Sequence, residues 1–157
     1  MTFLTWIVVA TAALGLYVAL ALRHRYLVVR VRGTSMYKTY PDGSRIVVDR
    51  KSRPAPRVGE IVALRLPTDF RAGDPFPPPE SSHQLFIKRV VGVAGDQWPR
   101  DVPQSQGHRS TVPAGHILAL GDSTDSLDSR RWGAVPLDRI EGFVTRVMGR
   151  PAGRSVL

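Results

Sequence analysis

Leu85-Phe86-Ile87-Lys88-Arg89-Val90-Val91-Gly92-Val93 is the stretch from which the rest of the chain can be read. Nine residues, seven of them apolar or glycine, with no helical spacing, make a strand. Side chains on a strand alternate faces, so Lys88 shares its face with Phe86 and Val90, while Arg89 lies opposite with Ile87 and Val91. A lysine among apolar neighbours loses the hydration of its ammonium, which favours the neutral amine. A neutral amine can take a proton from a serine hydroxyl. The plain alternative is a lysine that snorkels from a strand edge, and the stretch taken alone favours that reading.

Further strands are expected on both sides of it. Leu27, Val29 and Val31 alternate with Arg30 and Arg32 in a half-buried pattern. Ile46-Val47-Val48, Ile61 to Leu66, His116 to Leu120 and Ile140 to Val147 supply more candidates. Turn signals at Pro41-Asp42-Gly43, Val58-Gly59-Glu60 and Gly95-Asp96 separate them. Two stretches read as loops, Phe70 to Gln84 with its four prolines and Pro99 to Thr111. No sustained 3.6-residue periodicity follows residue 23. The expected fold is therefore mostly β, an antiparallel domain over residues 23–157.

Ahead of it, Phe3 to Leu22 run without a charge or a proline. Twenty apolar residues as a helix cover about 30 Å, the thickness of a bilayer's hydrocarbon core. A retained transmembrane helix over 3–22 is expected. Ala19-Leu20-Ala21 resembles a signal-peptide cleavage site, but the segment has no basic n-region and its apolar run is long. The positive-inside rule would put Arg23, Arg25, Arg30 and Arg32 in the cytoplasm, in conflict with the function expected below, unless those arginines meet anionic headgroups of the outer leaflet.

Composition narrows the function classes. The 157 residues carry 22 basic and 13 acidic side chains, a formal charge of +9, and no cysteine. A disulfide framework, thiolate metal sites and a cysteine nucleophile are thereby excluded. His24, His83, His108 and His116 never take a metal-ligand spacing, so no metal site is expected. No Asp or Glu precedes Asp42, so the basic excess gathers beside the apolar helix. No aromatic-basic interleaving accompanies it, and no nucleic-acid partner is expected.

Two more segments carry chemistry. Gly33-Thr34-Ser35-Met36 follows the first strand, where a serine beside a glycine can present its hydroxyl with little cover. Taken alone, most such serines are turn residues. Gly121-Asp122-Ser123-Thr124-Asp125-Ser126-Leu127-Asp128-Ser129-Arg130 follows the apolar His116 to Leu120 segment. It reads equally as a solvated loop or as a loop that orients an amine and is locked by an Asp-Arg pair.

In order and context these segments resemble the type I signal peptidase (leader peptidase) family of membrane-bound Ser-Lys proteases. Ser35-Met36-Tyr37-Lys38-Thr39-Tyr40 and Asp42-Gly43-Ser44 are similar to its nucleophile region, and Lys88-Arg89-Val90-Val91-Gly92-Val93-Ala94-Gly95-Asp96 to its lysine motif. Val112-Pro113-Ala114-Gly115, Leu120-Gly121-Asp122, Ser126-Leu127-Asp128-Ser129-Arg130 and Gly133-Ala134-Val135-Pro136 follow in the family's order. The resemblance implies Ser35 as nucleophile, Lys88 as general base, Ser126 as the hydroxyl that orients the lysine, Met36 in the site floor and Asp128 with Arg130 as a structural ion pair. It implies an oxyanion hole built on the Ser35 N–H, no cofactor, preprotein substrates, a lipid bilayer as second partner, and a single-pass protein of the bacterial cell membrane with its catalytic domain outside.

The chain departs from that pattern in places. Gly33 stands where some relatives supply a hydroxyl, Lys38 and Tyr40 replace the usual proline and leucine, and Ser123 replaces an asparagine in a shortened last motif. A catalytically silent membrane-anchored module that binds signal sequences or another partner is the alternative. Ser35-Met36-Tyr37-Lys38 also fits the Ser-x-x-Lys motif of penicillin-binding proteins, but that motif needs a helix, and its companion motifs are missing. Self-cleaving repressors share Ser-Lys chemistry but would need a DNA-binding module where this chain has an apolar helix.

Overall fold

Helix α1 (Thr2–Arg25) leads without a linker into strand β1 (Tyr26–Arg30) in a computed structural model that describes residues 2–51, 55–67, 84–100, 102 and 110–149. The helix is long and apolar enough to cross a membrane and stands clear of the sheet. It runs three residues past the expected end at Leu22, through Arg23, His24 and Arg25. Basic side chains suit a last turn, where the free carbonyls carry the negative end of the helix dipole. The helix–strand junction is pinned. Arg50 N donates to the Arg25 carbonyl at 2.8 Å, and Arg25 Nη2 lies 3.1 Å from Asp49 Oδ2.

The remaining strands are β2 (Arg45–Asp49), β3 (Ile61–Leu66), β4 (Gln84–Val93), β5 (His116–Leu120), β6 (Val135–Pro136) and β7 (Ile140–Gly149). They form one sheet in the order β1-β2-β7-β3-β4-β5-β6, with every neighbouring pair antiparallel. The mostly β, antiparallel class is as expected. β6 and the single-turn helix α2 (Ser129–Trp132) were not foreseen. Each is too short to show a period.

β3 and β4 bury both faces, which explains their continuous apolar runs. Val62, Leu64, Leu66 and Val90 pack on one side with Ile117, Ala119, Trp132, Val135 and Phe143. Ala63 and Ile87 pack on the other with Val31, Met36, Tyr40, Ile46 and Val48. Burial of this kind stabilises by about 25 cal/mol per Å² of apolar surface. A smaller cluster of Val102, Val112 and Leu118 covers the far side of β5.

Of the two expected loops, residues 70–83 lie outside the described residues, and Gln84 already opens β4. The second is tied down where it is described. Thr111 bridges to Gln97, and Trp98 Nε1 donates to the Val102 carbonyl at 2.8 Å. The turn glycines Gly43 and Gly95 take φ of 83° and 90°, values that a side chain rarely adopts.

β4 positions the site. Only from Arg89 onward does it pair with β5, so its first half, Gln84–Lys88, is bonded to β3 on one edge and, among the described residues, leaves the other edge open. β1, at the end of the sheet, likewise has a free edge among the described residues.

Candidate active site

Lys88 lies opposite Val62 in the β3–β4 ladder and is 1% exposed, so it does not snorkel from an edge. Its Nζ lies 2.8 Å from Ser126 Oγ and 5.8 Å from the centre of the Phe86 ring. Burial lowers its pKa from 10.5 to about 8, assisted by the charge of Arg130 and opposed by Asp128 and Asp122. Desolvation dominates, because the nearest polar partner is a neutral hydroxyl.

Ser126 is placed by the loop that leaves β5. The Asp128 carboxylate is fully buried and accepts from Gly121 N at 2.8 Å, Arg130 N at 3.1 Å, Arg130 Nε at 3.0 Å and Arg130 Nη2 at 2.6 Å. Burial alone would raise its pKa, but the hydrogen bonds from Arg130 and Gly121 and the charge of Arg130 overrule it and hold the carboxyl below its ordinary value. Arg130 Nη2 also donates to the Ser123 carbonyl at 2.5 Å, and Ser129 Oγ accepts from Ala119 N at 2.9 Å. Asp128 caps α2, which explains a helical turn that no periodicity announces.

Gly121 sits where the chain passes close to two site residues. A Cβ there would lie 2.7 Å from the Ser35 carbonyl oxygen and against Ser126 Oγ. Gly121→Ala is therefore expected to displace both and to cost about a hundredfold in turnover, with the sheet retained. Cleavage kinetics beside a circular dichroism spectrum check this, and near-normal turnover would show that the contact is slack.

Ser35 stands on the turn after β1 and is half-buried. That turn is held at both ends. Gly43 N donates to the Val31 carbonyl at 2.9 Å, and Gly33 N donates to Asp42 Oδ1 at 2.8 Å. Met36, fully buried, anchors it below and accepts from Tyr40 N at 2.6 Å. The Ser35 carbonyl accepts from Ser123 N at 3.2 Å. Among the described residues the Ser35 N–H donates to no group, which leaves it free to meet an oxyanion. Gly33 brings no hydroxyl, and its own N–H is committed to Asp42.

Ser35, Lys88 and Ser126 line one cleft of about 430 Å³, walled by β1 residues Val29 and Arg30 and by Gln84–Lys88 of β4. Lys38 lies outside its walls. Residues 34–40 form turns rather than a helix, so a Ser-x-x-Lys site does not assemble.

A clamp beside the site escaped the sequence reading. Asp122 accepts from Thr39 N at 3.0 Å and Thr39 Oγ1 at 2.6 Å, and lies 3.6 Å from Arg89 Nη2, which itself donates to Thr39 Oγ1 at 2.6 Å. It ties the Ser35 turn, the strand of Lys88 and the loop of Ser126 together. All three residues fall within quoted motifs; Arg89 adjoins Lys88, Asp122 adjoins Gly121, and Thr39 lies four positions after Ser35. Among the described residues no group of three or more His, Asp or Glu is disposed to hold a metal ion.

A family model described as signal peptidase, peptidase S26, matches residues 2–99 and 97–148. The chain belongs to the signal peptidase family. Among curated members it is 36% identical over 119 residues to the mitochondrial ATP-independent inner membrane protease subunit 1b of Arabidopsis thaliana, 71% of this chain and 63% of that one. It is 33% identical over 137 residues to the mitochondrial inner membrane protease subunit 1 of Schizosaccharomyces pombe, 82% of this chain and 78% of that one. Signal peptidase I of Leptolyngbya laminosa is 30% identical over 153 residues, 82% of this chain and 73% of the relative. This member of the signal peptidase family therefore spans a little under two thirds of the Arabidopsis subunit, and more of the other two.

Proposed function

We propose that the chain is a membrane-anchored serine endopeptidase that removes signal or leader peptides from preproteins, with Ser35 as nucleophile and Lys88 as general base. The observation that carries this reading is a buried amine, 2.8 Å from Ser126 Oγ, in the cleft that Ser35 also lines. Membership of the signal peptidase family supports it independently.

The substrate segment before the scissile bond enters extended, between the open edge of β1 and the open first half of β4. Main-chain bonds to such edges fix register and leave alternate side chains for pockets. Val29, Val31, Leu85 and Ile87 line those pockets and suit small apolar residues one and three positions before the cut. Neutral Lys88 takes the Ser35 hydroxyl proton as Oγ bonds to the scissile carbonyl carbon. The Ser35 N–H holds the oxyanion, and Lys88 returns the proton to the departing amine. Water, deprotonated by the same amine, then breaks the Oγ ester and regenerates Ser35. Ser126 keeps the amine aimed throughout. On this reading α1 crosses a bacterial cell membrane, the sheet lies outside, and Arg23 meets anionic headgroups while Arg25 stays with Asp49.

Cleavage of a model secretory precursor in detergent tests the proposal. The base works only when deprotonated, so the rate is expected to rise with pH through a midpoint near 8. A pH-independent rate would remove Lys88 from the role. A folded protein that binds the precursor without cutting it would favour the silent binder.

A further inference from the structure

A second cleft, of about 420 Å³, opens on the other side of the Ser35 turn and is lined by Thr34, Tyr37, Lys38, Asp122, Ser123 and Thr124. Thr34 and Ser123 line both clefts, so the two adjoin next to Ser35, which lines the first. On the proposed function, a chain that reaches Ser35 through the first cleft finds the second next to it for the residues that follow.

The charges in this second cleft are unequal. Asp122 is already engaged by Thr39 and Arg89. Lys38 is exposed and forms no ion pair among the described residues. It stands where the resembled pattern has proline, so a flexible cation replaces a rigid, uncharged ring. Three residues after Ser35 on the same turn, it lines a cleft that shares Thr34 and Ser123 with the first.

We propose that the second cleft receives the residues that follow the scissile bond, and that Lys38 gives it a preference for Asp or Glu among the first three of them. Lys38 thus selects substrate and takes no part in bond breaking. The inference rests on the peptidase reading of the first cleft.

Three peptides, identical before the cut and carrying Glu, Gln or Lys at the second position after it, test this with the full chain in detergent micelles. In kcat/KM the wild type is expected to favour Glu over Lys by about three- to fivefold, as an exposed ion pair allows, and 0.5 M salt is expected to flatten the ratio. Lys38→Gln is expected to remove the preference and Lys38→Glu to reverse it. Each variant's melting curve reports that it is folded. A wild type that cuts the Gln peptide, dependent on Ser35, with the same Glu-to-Lys ratio in all three proteins overturns this inference alone. A wild type that cuts none of the peptides overturns the peptidase reading and this inference with it.

Discussion

Ser35→Ala and Lys88→Met are each expected to lower kcat/KM for precursor cleavage by at least about a thousandfold, since residues that act as one catalytic unit fail together. The double variant should be little worse than either single one. The two differ in stability, and this contrast makes the experiment decisive. Ser35 is half-buried on a turn, and losing its hydroxyl should be close to neutral. Lys88 is buried with a pKa of about 8 against 10.5. Folded, it binds its proton more weakly than the unfolded chain does. Stability therefore rises with pH between about 8 and 10.5 and is at its lowest below 8, where the buried amine is charged. Two and a half pKa units are on the order of 3 kcal/mol, and the lost Ser126 hydrogen bond offsets about 1 kcal/mol of the gain. Lys88→Met should thus be inactive yet more stable at pH 7, by about 2 kcal/mol, with no slope between pH 8 and 10.5. Denaturant melts at pH 7 and pH 10.5 check this. A destabilised Lys88→Met would mean that the amine is held for the fold rather than for chemistry.

Asp128→Asn should damage both fold and rate. The carboxylate is fully buried and accepts four hydrogen bonds, three of them from Arg130. Removing one partner of a buried pair costs about 3–5 kcal/mol because the other charge is left behind. The Asn amide keeps some of the bonds, so the low end, about 3 kcal/mol, is expected. In the wild type this contribution is complete above the ordinary carboxyl value of 3.8 and is lost as pH falls through the depressed one. The kinetic effect has a definite sign. Asp128 raises the Lys88 pKa and Arg130 lowers it, so the variant loses the first influence and keeps the second. Its acid limb should move to lower pH, which pH–rate profiles of wild type and variant would reveal. An unmoved limb together with full destabilisation would confine Asp128 to the fold.

Much of this architecture was legible in the residues. Alternation placed β1, and the apolar run Ile46-Val47-Val48 placed β2, each within a residue or two; longer apolar runs placed β3 and β4, while their burial on both faces came from the structure. The pairing order was not legible. β7 lies between β2 and β3, from which it is far removed in sequence, and period-two patterns carry no information about partners. The helix outruns the apolar span that ends at Leu22 because charged residues end an apolar run without ending a helix; backbone bonding continues to Arg25, where a dipole favours them. Lys88 could be singled out by its face, but its burial depended on Phe86, Val62 and the Ser126 loop converging. Thr39, Arg89 and Asp122 look like ordinary surface residues until the fold brings together groups as much as 83 positions apart.

The junction between α1 and β1 has one more consequence. Arg25 ends the helix, Tyr26 starts the strand, and the Arg50 and Asp49 contacts leave no slack between them. Ser35 lies ten positions after Arg25, so even a straight chain would put it no more than about 35 Å from the helix end. On the proposed function, with the helix across a bilayer, the fold acts as a ruler. Bonds in a segment that leaves the lipid extended pass within its reach, while the same sequence lifted away by a folded domain does not. Height above the membrane then sorts substrates before any side chain is read.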